Sequence, residues 1–385
     1  MRLTPLLLSL AVPLFAQHEH MQMAARPDVA RDLLMEQVSG TSTNPTAAAM
    51  EMAMTAWEKW NLMWHGTAFI NQVLESDGGG QKLFATDWVM GMAHRPLGGG
   101  HLLLRSMLSL EPLTIGKKGY PERFQSGEGL INRQHPHDFF MELAAEFAVD
   151  VGHHTVGYLY AAPVGSPALG PVAFPHRASA AEIPQAPLGH HLEDSTHIAS
   201  SVLTIGAKQN EFGLEVSGFH GREPDNDNRW DIDKGALDSW ALRGTWDPSP
   251  NWNAQLSTGH LNHPEAEEPG DIQRTTASVS YSENGFSSSV IWGWNHKSSN
   301  DSNGFLAEMT YRFNVSNYVS GRLEIVKKEE FANTIKALTA GYTKDLYRSR
   351  DLLGGVGGNV SVVRSAGERP LSFYVFVRLR TATGM

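Results

Sequence analysis

Cysteine is absent from all 385 residues. That excludes disulfides, thiolate nucleophiles and cysteine-ligated zinc, and it leaves methionine as the only sulfur ligand. Beyond the amino terminus there is no apolar run of the ~20 residues that a membrane-spanning helix requires, although 41% of the residues are hydrophobic. Basic residues are outnumbered, 31 Lys and Arg against 41 Asp and Glu for a net charge of −10. The basic stripe of a nucleic-acid-binding surface is therefore missing, and no nucleic-acid partner is expected. No Gly-x-Ser-x-Gly elbow, Gly-Lys-Ser/Thr phosphate loop or His-Glu-x-x-His helix occurs, so the chemistries those motifs support have no foothold.

What the chain has instead is alternation. Between Thr275 and Tyr281 the residues Thr275, Ala277, Val279 and Tyr281 alternate with Thr276, Ser278 and Ser280, and between Ser372 and Arg380 the residues Phe373, Val375, Val377 and Leu379 alternate with Tyr374, Phe376, Arg378 and Arg380. A period of two puts one set on each face of a strand. About sixteen such stretches follow one another, near residues 61–74, 80–94, 100–111, 138–150, 153–163, 195–208, 211–220, 236–247, 252–261, 271–282, 285–296, 304–313, 317–327, 335–345, 352–363 and 371–380. The links between them are by turns brief and long. The expected fold is all-β, a transmembrane antiparallel β-barrel of about sixteen strands with fourteen or eighteen as the neighbouring counts, short periplasmic turns and long external loops. A barrel of this size encloses an aqueous channel unless loops fold into it, and the links at 112–137 and 163–194 are long enough to do so.

The chain divides into three parts. Residues 1–16 read as a secretory signal peptide: Arg2 gives a positive start, Leu3 to Phe15 an apolar stretch and Ala16 a small residue at the cut. Removing Arg2 would take the net charge from −10 to −11. Residues 17–60 read as a periplasmic arm rich in Met and His, partly helical or disordered, with one helix over 28–37 and helical composition again over 46–59. Residues 61–385 are assigned to the barrel, whose partners are outer-membrane lipid and small polar solutes, with a homo-oligomer as a further expectation.

Histidine, at 17 residues, is concentrated where chemistry is wanted. His135, His137 and Asp138 end the first long link, and His190, His191 and His197 end the second. Imidazoles beside carboxylates suit copper or zinc, and the same residues also serve as ordinary loop caps. The arm offers His18, His20, Met21 and Met23, a soft set suited to copper, although methionine is equally a core filler. Ser195 and His197 would share a strand face with no third group on it, which makes a barrel hydrolase the weakest of the readings. Alternation directs Arg105, Arg243, Arg274, Glu308, Arg312, Arg322, Glu324 and Arg378 into the lumen as pore-lining charges.

The region 60–380 resembles Gram-negative outer-membrane β-barrels of the porin kind. Gln134-His135-Pro136-His137-Asp138, Gly189-His190-His191, Asp194-Ser195-Thr196-His197-Ile198 and Gly221-Arg222-Glu223-Pro224-Asp225 are together similar to a family of bacterial envelope proteins marked by the QHPHD and GREPD segments. That resemblance carries no activity with it. The Met/His arm is similar in composition to the front of outer-membrane copper-resistance proteins. The leading expectation is an outer-membrane channel for small polar or anionic solutes, linked to copper handling. The competing one is a non-conducting barrel whose His-rich external loops bind metal or a protein.

Overall fold

Backbone amides have no water to bond in hydrocarbon, so a chain that crosses a bilayer in strands must close those strands on themselves. The computed structural model, which describes residues 28–48, 51–224, 228–265, 270–298 and 300–382, does this with a closed antiparallel barrel. Its first eight long strands are β1 (Trp60–Glu75), β2 (Gly80–Leu97), β3 (Gly100–Leu108), β4 (Phe140–Gly152), β5 (Thr155–Gly165), β6 (Ala199–Gln209), β7 (Phe212–His220) and β8 (Ser239–Ser249). The remaining eight are β9 (Trp252–Leu261), β10 (Ile272–Glu283), β11 (Phe286–His296), β12 (Asp301–Asn314), β13 (Asn317–Lys327), β14 (Ile335–Arg348), β15 (Leu352–Arg364) and β16 (Leu371–Thr381). Each pairs with its chain neighbour, and β16 closes the ring on β1 from Ser372↔Glu75 to Arg380↔Thr67. The predicted strand count and the alternation of short and long links both hold.

Parity decides which way each side chain looks. On β16, Phe373, Val375, Val377 and Leu379 are 39–65% exposed on the outside, while Tyr374, Phe376 and Arg378 are at most 2% exposed on the inside. The outward set continues round the ring through Ile205, Leu214, Val216, Leu256, Leu338 and Val360, all exposed. At the short-turn rim it ends in a run of neighbouring rings: Trp252 and Tyr281 (4.7 Å between centroids), Tyr281 and Phe286 (6.3 Å), Phe286 and Tyr311 (6.2 Å). Such aromatic belts sit at a membrane interface. An apolar belt ending in an aromatic rim marks a wall that faces lipid.

Three local expectations are corrected. The described residues of 46–59 are not helical: Ala53–Trp57 is a short strand pairing with the start of β1, from Ala53↔Trp64 to Trp57↔Trp60. It occupies the edge of β1 that β16 leaves free, because β16 ends opposite Thr67. The stretch 195–198 is a 3₁₀ turn rather than strand, so β6 starts at Ala199. The third strand stops at Leu108, and a helical turn, Glu111–Thr114, follows it.

The lumen is filled from both ends. From the short-turn end enters helix α1 (Val29–Glu36), capped by Asp28, whose side chain accepts from the Arg31 amide. Its Leu33 and Leu34 are buried against the inner wall, and the Ala30 amide donates to Asp150 (2.9 Å). A tight hairpin follows, Gln37–Ser39 against Ser42–Thr43. At its tip Gly40 has φ +53°, and a Cβ there would lie 2.4 Å from the Ser166 carbonyl oxygen. Only glycine fits both the turn and the contact. From the long-loop end comes segment 166–198, in which no residue is exposed.

The outward parity gives a direct test. Leu256, four residues along β9 from the rim residue Trp252, is 61% exposed; Leu256→Arg should destabilise the barrel by about 2–4 kcal/mol in reversible denaturation from lipid. Thr276, 0% exposed on the neighbouring strand β10, faces in, and Thr276→Ser should cost under about 1 kcal/mol. Equal costs for the two would mean the faces are wrongly assigned.

Candidate functional site

Segment 166–198 crosses the lumen as a chain of polar contacts with the wall. It leaves β5, donates from the Ala168 amide to Ser217 (2.8 Å) and from the Gly170 amide to Ser257 (2.8 Å), then reaches the far wall at Arg177. There Arg177 bonds Glu308 (2.6 Å) and Asp194 (3.0 Å), and Glu308 also holds Arg322 (2.9 Å). Glu182 pairs with Arg378, whose other partner is Asp345, and Glu182 takes Arg380 at 3.0 Å. On the return the Gln185 carbonyl accepts from Arg322 (3.0 Å), the Leu188 amide donates to Glu324 (2.5 Å) and the His191 carbonyl accepts from Arg274 (2.7 Å). The amino-terminal hairpin uses the same device, with Gly40 accepting from Arg105 (2.7 Å) and Thr41 from Arg243 (2.8 Å).

Of the residues expected to line a pore, Arg105, Arg243, Arg274, Glu308, Arg322, Glu324 and Arg378 therefore point inward and are buried under the plug. Arg105 is set against Glu142 (3.2 Å) and Arg243 against Glu215 (2.8 Å). Only Arg312 borders open space, a chamber of about 470 Å³ between the amino-terminal segment and the loop. That chamber touches the short-turn rim at Gly285, Arg312 and Thr381 and ends against His65, His135, His137 and His176.

Beyond the chamber the histidines converge under the loops, not on an exposed external rim. His190 and His191 stand on a short helical turn, His190–Glu193, and His135 comes from the end of a hairpin, Tyr120–Gly127 against Leu130–Gln134. Ligand nitrogens of His135, His190 and His191 all lie within 4.8 Å of one another, and His135 Nε2 is 3.2 Å from His191 Nε2. His137 and His197 sit to one side with ring centroids 5.2 Å apart, His197 being 5.4 Å from His190. Asp138 turns away to Arg229 (2.7 Å), which also holds Glu128. His18, His20, Met21 and Met23 lie outside the described residues. Ser195 accepts from Arg274 (2.9 Å), and His197 Nδ1 faces the Asp194 carbonyl (2.8 Å), so no serine–histidine pair forms between them.

Burial sets the charge state here. It pushes His190 down to about 4 against the pull of Asp194, and His197 down to about 3, helped by His137 and His190. His135 and His176 are driven well below the ordinary histidine range by the same cause. Asp194 stays well below the usual carboxylate range because the His190 and Arg177 groups it bonds outweigh its burial. His137 and His191 are the exceptions, raised despite burial by the carboxylates of Glu111 (3.0 Å) and Glu223 (3.5 Å).

Sequence reasoning missed Arg177, Glu182, Asp194 and Glu223 as working residues, along with His65 and His176. His65 was within reach, because its odd position on β1 puts it on the inner face with Met63 and Asn71. Nothing in the order of residues said that Glu223, 32 positions after His191, would come within 3.5 Å of it.

No family model matches the chain, and no curated protein matches it. Solved structures do: an anion-selective porin from Comamonas acidovorans (TM-score 0.55, 12% identity, 83% of this chain and 99% of that one). OmpF of Salmonella typhi, solved with daunomycin, superposes with TM-score 0.54 at 8% identity over 85% of this chain and 100% of its own. A loop-deletion mutant of OmpT from Vibrio cholerae gives 0.53 at 8% identity over 84% and 99%. The fold is that of the outer-membrane porins. At this level of identity the likeness extends to the barrel and stops there.

Because His176 and His197 are kept neutral in the folded loop but titrate near 6.5 when released, the released loop binds more protons below that pH. Their contribution to docking is therefore full above pH 6.5 and lost as pH falls from there toward 3. Amide exchange across 166–198, corrected for intrinsic rates, should show protection falling from pH 6.5 to 4, with a shallower fall in His176→Gln. Flat protection over that range would contradict the assignment.

Proposed function

We propose that this chain is a porin-type outer-membrane channel whose resting state is shut, and that small polar solutes pass only when segment 166–198 moves. The observation that carries this is that segment 166–198 lies in the lumen with no residue exposed, bonded to wall residues such as Ser217, Ser257, Glu308, Arg322 and Arg378. The porin fold supports the channel; the plug supports its closure. An open anion pore fits poorly, since Arg105, Arg243, Arg322 and Arg378 each face a carboxylate and little net positive charge is left to select anions. Any homo-oligomer would form through the lipid-facing wall.

The QHPHD and GREPD segments that mark the resembled envelope-protein family supply His135 and Glu223 to the buried cluster and His137 beside it. A non-conducting barrel built around that cluster is the second reading, favoured by the same filled lumen.

Planar-bilayer recording separates them. Wild-type barrel, verified as folded by heat-modifiable migration, should be silent or open rarely. Arg177→Ala combined with Glu182→Ala removes two of the loop's charged anchors and should raise the frequency of discrete openings by at least about tenfold, since each buried partner lost is worth roughly 3–5 kcal/mol. Steady large steps in wild type would overturn the shut resting state. Silence in both folded proteins would overturn the channel and leave the non-conducting barrel.

A further inference from the structure

Three imidazoles buried together are costly unless something positive lies between them. His135 Nδ1 is 3.1 Å from the Pro136 carbonyl oxygen, which can only accept, so Nδ1 carries the proton and Nε2 the lone pair. His190 Nδ1 lies 2.6 Å from the Asp194 carboxylate, and His191 Nδ1 lies 3.5 Å from that of Glu223. The His135 and His190 rings are thus oriented by an oxygen bonded to the outer nitrogen, and the His191 ring has the Glu223 carboxylate near its own, which leaves His135 Nε2 and His191 Nε2 facing each other. This is the arrangement by which proteins fix histidine ligands around a metal.

We propose that His135, His190 and His191 bind one divalent transition-metal ion of the zinc type, with Asp194 and Glu223 orienting two of the rings and Glu265 beside them. Two nitrogens bonded to a tetrahedral zinc at ~2.0–2.1 Å are roughly 3.3 Å apart, and the His135 Nε2 to His191 Nε2 distance is 3.2 Å. A cavity of about 20 Å³, lined by His135, His190, His191, Glu223 and Ser195 among others, lies at this point. It has room for one water-sized occupant. Gly127 guards it: φ is +147°, and a Cβ there would come within 2.2 Å of His191 Nε2, so any other residue would push that ring out of place.

The three ligands come from two external loops, at 109–139 and 166–198, with Glu223 and Glu265 contributed by two more, so a single ion would pin the plug segment directly to the 109–139 loop. His191 with Glu223 and Glu265 forms a second set of ligand atoms within 4.8 Å, sharing the His191 ring with the first. The proposal stands whether or not the barrel conducts, because binding is read without any current.

The test uses full-length barrel refolded from chelator-treated protein, with His18→Ala and His20→Ala in every sample so that the amino-terminal segment contributes nothing. Zinc titrated by calorimetry should bind one ion per chain, and cobalt should give the visible absorption of a low-symmetry nitrogen-ligated ion. His191→Ala should weaken zinc at least about 100-fold, and Glu223→Gln, which preserves size, about 10–100-fold. His153→Ala with His154→Ala, in the exposed turn between β4 and β5, should change nothing. Should His191→Ala fail to migrate as a folded barrel, Glu223→Gln and His135→Gln carry the comparison. Absence of stoichiometric zinc binding, or equal affinity in the folded variants, overturns the site and leaves the histidines sharing a proton.

Discussion

Arg177 lies between Glu308 and Asp194, and Glu308 lies between Arg177 and Arg322, all buried within the barrel. Everything else about the interior depends on this chain of charges. A guanidinium withdrawn from water is tolerated only when carboxylates meet it with good geometry, and the wall alone does not provide enough of them. Arg378 has Asp345 from β14 but needs Glu182 from the loop as well. Loop and wall therefore complete each other, and the register of the plug follows from where the wall placed its arginines. Buried ion pairs of this kind add little net stability, yet breaking one side of them is expensive, so they fix a single arrangement.

That arrangement brings the histidines together. The Arg177–Asp194 pair holds Asp194 where it can orient His190, and Arg274 grips the His191 carbonyl from β10. Glycines keep the space clear, with Gly293 on β11 closest to the Leu192 carbonyl, where a Cβ would lie only 2.3 Å away. Porin barrels in general leave an aqueous lumen at sixteen strands. Here the lumen holds a salt-bridged loop, a hairpin and a chamber of about 470 Å³, which is why the fold by itself does not imply an open pore.

The barrel was legible because alternation is a local property. Phe373 to Arg380 can face only two ways, and hydrocarbon accepts only one of them, so parity, strand count and the luminal position of Arg378 could all be read directly. The histidine motifs were legible as motifs. Their convergence was not, since His135, His190 and Glu223 belong to different loops whose approach is set by contacts such as Arg177–Glu308 that join residues 131 positions apart. The short strand Ala53–Trp57 was misread for a related reason. Its Met and Ala content favours helix, and only the vacant edge of β1 made it a strand.

By itself, then, the order of residues determined a closed cylinder with oily walls, its strand boundaries to within a few positions, and which charges look inward. These follow from backbone hydrogen bonding and the period of two, which need no knowledge of distant neighbours. Tertiary structure alone decided that the inside is occupied, that the arginines are paired instead of bare, and that three imidazoles share one small space. Those outcomes depend on charge neutralisation in a confined volume, and that is settled only when segments far apart in the chain compete for the same few cubic ångströms.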